Sequence, residues 1–111
     1  PPGFLRRSQA RNRGGATPEA ALETFLYCLE HRDAAVLLSL VPEEQRGTME
    51  AMLKGDGAAG FFDKAPRLPG FKLGTRRELG PEALSIELES GPGKPWSLEL
   101  RRQEGTWRLQ L

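Results

Sequence analysis

Three apolar/polar alternations follow one another through the last third of the chain, and they constrain the fold more than any other feature. Leu84, Ile86 and Leu88 form the first, Trp96, Leu98 and Leu100 the second, and Trp107, Leu109 and Leu111 the third. Side chains on a strand alternate faces with a period of two, so each run reads as a half-buried antiparallel strand whose other face meets water. None of these inward residues is ionisable. A catalytic site on this sheet would need an acid or base pointing the same way, so the sequence argues for a fold more clearly than for an activity.

A further strand is expected over Phe71 to Leu79, with Phe71, Leu73 and Leu79 inward, and Thr75 and Arg77 on the same side unless a bulge intervenes. Gly80-Pro81-Glu82, Gly91-Pro92-Gly93 and Glu104-Gly105 supply the turns. Ahead of the strands, Thr17 suits an N-cap, Pro18 the first helical position and Glu19 the positive end of a helix dipole. Leu22, Phe25, Leu26 and Leu29 then form one apolar stripe. Asp33 reads as a second cap, opening a short helix that Pro42 ends. Pro42-Glu43-Glu44 starts a third helix carrying Met49, Met52 and Leu53, which Gly55 and Gly57 terminate. Phe61 and Phe62, flanked by glycine and proline, read as a plug in a loop or a single helical turn. The expected fold is therefore α+β, with three N-terminal helices packed on a curved four-stranded antiparallel meander.

A chain of 111 residues makes one domain, able to bury roughly 60–70% of the surface it exposes when unfolded. Residues 17–111 are expected to form it, with 1–16 as a flexible basic linker. Arg6, Arg7, Arg11 and Arg13 lie in that front segment without any acid, so the body carries more acids than bases although the whole chain is +1. The single cysteine, Cys28, excludes an intramolecular disulfide, and one histidine leaves no Cys/His metal cluster, so no cofactor is expected. No apolar run approaches the ~18 residues that span a bilayer. Because the chain opens at Pro1 rather than Met, an upstream signal, anchor or domain is expected.

Two stretches carry a family likeness. TPEAALETFLYCLEHRDAAVLLSLVPEE resembles the opening of the nuclear transport factor two-like superfamily, the cone-shaped α+β roll also called cystatin-like, and EGTWRLQL is similar to its closing strand. The resemblance runs from Thr17 to Leu111 and implies a small roll with a pocket between the helices and the concave sheet face. It also implies a range of members, many of them bacterial, from isomerase- and dehydratase-like enzymes to binding and accessory domains without chemistry.

Tyr27, His31 and Asp33 form the candidate catalytic constellation, since a phenol, an imidazole and a carboxylate at one end of a helix can transfer protons. Equally, the helix dipole explains His31, capping explains Asp33, and ring packing explains Tyr27. Cys28 reads as a small core residue, although His31 three positions on could share its helix face. Arg77 is the unusual strand residue. A bulge near Gly74 that turns it outward, a rim position with a partner such as Glu78 or Asp63, and an anion-binding role all fit the sequence. With Phe61, Phe62 and Trp96 it makes the candidate ligand-binding set. Glu87, Glu89, Glu99, Arg101 and Arg108 read as a solvated outer face.

The resulting expectation is a non-enzymatic binding or accessory domain of a bacterial envelope-associated protein, taking an unknown protein or a small apolar ligand. The alternative is a small isomerase- or dehydratase-type enzyme using Tyr27, His31 and Asp33. A periplasmic or membrane-tethered extracytoplasmic setting is expected, a cytoplasmic one being compatible. No specific nucleic-acid partner is expected, although binding of nucleic acid or anionic membrane through Arg6 to Arg13 would show as steep salt dependence. The outer sheet face, rich in charge, argues for a monomer or a weak homodimer.

Overall fold

A computed structural model describes residues 4–54, 57–64, 70–89 and 95–110. Its elements are β1 (Phe4–Arg6), a 3-10 turn (Arg7–Gln9), α1 (Pro18–His31), α2 (Ala34–Leu40), α3 (Glu43–Met52), α4 (Gly57–Lys64), β2 (Gly70–Gly80), β3 (Ala83–Glu89), β4 (Trp96–Gln103) and β5 (Thr106–Gln110). The architecture is α+β, with helices against an antiparallel sheet, and the strands run in the order β1-β2-β3-β4-β5. The sheet has five strands rather than the four expected. The extra one comes from the front segment, where Phe4, Leu5 and Arg6 pair with Lys72, Phe71 and Gly70. Three residues, the last of them the first arginine of the segment, carry too short an alternation to read as a strand.

Local chemistry sets the helix ends. The Thr17 hydroxyl accepts the Ala20 N–H at 3.0 Å, with Pro18 in the first turn. Arg32 closes α1 in the left-handed region, φ 53°, and its N–H bonds the Cys28 carbonyl. Asp33 Oδ1 accepts the Val36 N–H at 3.1 Å and so caps α2. Pro42 lies between α2 and α3 as the N-cap of the second. Phe61 and Phe62 fall in the two-turn helix α4 rather than in a loop.

Strand register stacks Leu84, Leu100 and Leu109 in one row, with Ile86 opposite Leu98 and Leu88 opposite Trp96. These side chains meet Leu22, Leu26 and Leu29 of α1 and Leu37 and Leu40 of α2 in one core. Each fully buried leucine contributes about 1.5–3 kcal/mol relative to an exposed one. Phe71 is 0% exposed and meets Trp96 edge-on at 6.3 Å between ring centroids. Trp107 is only half-buried, at the end of the inner face, where the Arg102 guanidinium lies 5.5 Å from its ring.

Pairing slips by one residue between Leu73, opposite Leu88, and Arg76, opposite Ile86. This bulge changes the phase of β2 from Arg76 to Glu78, and a second shift follows between Glu78, opposite Leu84, and Gly80, opposite Ala83. Arg77, opposite Ser85, takes the outer face and is exposed, whereas Arg76 takes the inner side and pairs with Glu19 of α1. Leu79, expected inward, is 47% exposed. The turn Glu104-Gly105 has positive φ at both positions, 54° and 76°, the geometry that matches strand twist in a two-residue hairpin. The Gly91-Pro92-Gly93 turn and Leu111 lie outside the described residues.

Candidate functional site

The catalytic constellation read from the sequence lies at the end of α1 and the start of α2. Tyr27 is half-buried against the core and His31 exposed, and their rings sit 4.5 Å apart, tilted by 42°. An oxygen of Asp33 is already engaged as the α2 cap. Cys28 is fully buried, and desolvation, aided by the negative charge of Asp33, pushes its pKa up to about 12. The thiol therefore stays protonated and behaves as a small core group.

The proposed ligand set does not converge. Phe62 is buried in the core, and Trp96 packs against that core on the inner face of the sheet. Arg77 points from the opposite face, the bulge being the one of its three readings that the register shows. The Phe61 side chain lies outside what the structure describes. Among the described residues no group of three His, Cys, Asp or Glu could hold a metal ion.

The feature the sequence did not announce is Glu23, a carboxylate in the middle of α1 that is only 6% exposed. Helical spacing puts it beside the apolar stripe, and the front segment supplies its partners. One oxygen accepts the Arg11 backbone N–H at 2.9 Å and Arg11 Nε at 3.2 Å, and the other accepts Arg13 Nη1 at 3.1 Å. Desolvation by itself would raise the Glu23 pKa, but the hydrogen bonds from Arg13 and Arg11 outweigh it and hold the carboxyl below its ordinary value. Next to it, the Thr24 hydroxyl accepts the Arg13 N–H at 2.9 Å and lies 2.8 Å from the Ala20 carbonyl and 3.1 Å from that of Gly14. Arg7 adds an ion pair to Glu30 at 3.0 Å and a bond to the Leu29 carbonyl.

The segment expected to be a flexible linker is thus laid along α1 and tied to the sheet at both ends. At its far end the Gly15 carbonyl accepts the Trp107 N–H of β5 at 2.7 Å. A Cβ at Gly15 would stand 2.5 Å from the Trp107 oxygen, so only glycine permits this approach. The reason for the difference is chemical: apolar content is low here, and polar bonds to two buried groups of α1 offset the ordering entropy instead. Between arm and helix lies a groove of about 210 Å³ lined by Leu5, Arg6, Gln9, Ala10, Arg11 and Glu23.

With this geometry in place, the chain is similar in fold to a solved protein. Its fold resembles that of a SEC-C motif containing protein. That solution structure, from Rhodopseudomonas palustris, superposes with a TM-score of 0.61 over 92% of this chain and 81% of its own, at 17% sequence identity. No family model and no curated protein matches the chain. These findings correct the nuclear transport factor two-like, cystatin-like resemblance read from the two terminal stretches. A Thr-Pro-Glu helix start and a Glu-Gly hairpin followed by alternation are solutions that unrelated α+β domains share, so those residues mark elements and not a family.

The outer face also departs from expectation. Arg108 is 7% exposed, beneath the corner between α2 and α3, and donates to the Val41 carbonyl at 3.3 Å. Arg101, its cross-strand neighbour, pairs with Glu44 of α3 and donates to Gln110. Strict alternation places both outward, but it cannot foresee that the chain turns over the β5 edge. No described helix is long and apolar enough to cross a membrane.

Proposed function

We propose that the domain is a non-enzymatic binding or accessory module that engages a protein partner through its outer surface. The observation that carries this is the filled interior. Leu84, Ile86, Leu88, Leu98, Leu100 and Leu109, the residues that would line a helix–sheet pocket, are each at most 8% exposed and belong to one core with α1 and α2. A small apolar ligand would have to displace those contacts, each truncation of which costs about 2–5 kcal/mol. Proton-transfer chemistry finds little support, because His31 is exposed, Tyr27 packs against the core and Asp33 is held as a cap. The uncovered part of the outer face carries charge, including Arg77, Glu87 and Glu99, which favours a monomer or a weak, salt-sensitive dimer.

Native mass spectrometry of the purified chain tests the proposal. The expected result is the bare polypeptide mass. A stoichiometric apolar molecule, released on denaturation and rebinding on refolding, would sink the outer-surface reading and restore an internal ligand site.

A further inference from the structure

We infer that the groove between the N-terminal arm and α1 receives an acidic side chain from an extended segment of a partner polypeptide, with Arg6 and Arg11 as the donors. The inference rests on the outer-surface reading above and names the chemistry of the partner.

Charge balance within the groove comes first. Glu23 is its acidic wall, and both of its oxygens are already bonded, one to Arg11 and the other to Arg13. Arg6 and Arg11 line the groove with Glu23, and Arg13 pairs with Glu23 from beside it, so the site keeps net positive charge. Arg11 engages Glu23 through Nε, which leaves its two terminal nitrogens without a protein partner among the described residues. Arg6 is exposed and has no partner among them either. A cation is therefore disfavoured, and a carboxylate finds guanidinium donors not already bonded among the described residues, the groups best matched to a carboxylate's two oxygens.

Size and lining set the form of the ligand. About 210 Å³ is roughly seven waters at ~30 Å³ each, room for one side chain rather than a strand. Leu5 and Ala10 offer an apolar wall for methylenes, and Gln9 an amide beside the guanidinium groups. A polyanion fits less well. Arg7 is committed to Glu30 and Arg13 to Glu23, so the arm does not present the row of free cations that a phosphate backbone requires.

The test uses the full chain, labelled with ¹⁵N and titrated at low salt with an acetylated, amidated Ala-Ala-Glu-Ala-Ala peptide, which offers a single carboxylate. Amide shifts are expected to concentrate on Leu5, Gln9, Ala10 and Arg11, and to fade as salt rises. Arg6→Gln and Arg11→Gln are each expected to weaken binding about tenfold or more, the usual worth of one charge-assisted hydrogen bond, while Arg77→Gln changes nothing. Arg6→Gln keeps the test decisive if Arg11→Gln loosens the arm, since Arg6 makes no side-chain bond to the body. Three results overturn the inference: shifts spread over unrelated cations, equal weakening by Arg77→Gln, or tighter binding of a dT15 oligonucleotide or phosphatidylserine vesicles than of the peptide. A co-purifying apolar ligand, by contrast, would remove the outer-surface reading without moving these amides.

Discussion

Replacing Glu23 by glutamine isolates what holds the N-terminal arm to the domain. The substitution keeps the volume, and an amide oxygen remains to accept the Arg11 backbone N–H, so the loss is the charge that Arg11 and Arg13 share and the second acceptor, since an amide NH2 cannot accept from Arg13 Nη1. The two guanidinium side chains are 75% and 47% exposed, whereas the carboxylate is 8% exposed. Screening of the arginines limits each pair to the upper part of the ~0.2–1 kcal/mol range of surface ion pairs, and the buried acceptor keeps it from falling lower. The expected destabilisation is about 1–2 kcal/mol, or roughly 5–10 °C in melting temperature for a domain of this size. Urea unfolding followed by tryptophan fluorescence reads it directly. The effect should depend on pH with a definite sign. Because folding lowers the Glu23 pKa, its contribution is fully present above the ordinary carboxylate value of 4.5 and is lost as pH falls through the lower folded value. Wild type and variant should therefore converge in acid. A variant within about 0.3 kcal/mol of wild type at pH 7, or a gap that persists in acid, would refute the assignment of Glu23 as the arm's anchor, given that surface substitutions lie within about ±0.5 kcal/mol.

Phe71→Ala should cost about 3–5 kcal/mol, and Trp107→Ala distinctly less, because Phe71 is 0% exposed and Trp107 is half-buried; equal losses in chemical denaturation would contradict the packing described. Gly15→Ala should destabilise by about 1–3 kcal/mol through backbone crowding, as overpacking does, and should speed hydrogen exchange at the Trp107 amide. Cys28, with its thiol buried and its pKa near 12, should resist iodoacetamide at pH 8 in the native state and react only after denaturation. Rapid native labelling would mean that α1 opens.

Much of the body was legible because local and global preferences agree there. Thr17 and Asp33 occupy the cap positions that their side chains favour, Pro42 separates α2 from α3, and the leucine alternations of β3, β4 and β5 fall on the buried face. What escaped depends on contacts between distant residues. An extra residue in β2 reverses the facing of Arg76 and Arg77, a second irregularity falls at Leu79, and no periodicity predicts where either lies. Arg108 looks like a surface residue until the α2–α3 corner is laid over it. The arm reads as linker because its bonds go to Glu23, Thr24 and Glu30, residues that only the folded helix presents on one side. The available signal was Glu23 itself, an acid next to the apolar stripe Leu22, Phe25, Leu26 and Leu29, with four unpaired arginines upstream. The proton-transfer trio, in contrast, was legible as three neighbours in sequence, but the fold leaves His31 in solvent, packs Tyr27 against the core and uses Asp33 as a cap.

Amide hydrogen exchange at Arg11 and Arg13 tests most directly whether the front segment is part of the domain. Each of these N–H groups is bonded to a side chain of α1, that of Arg11 to Glu23 and that of Arg13 to Thr24, both at 2.9 Å. The account predicts that both exchange more slowly than a free chain, and that Glu23→Gln accelerates both while the β3 and β4 amides stay protected. Exchange at free-chain rates in the wild-type protein, alongside a protected sheet, would contradict it and return residues 1–16 to the role of a linker.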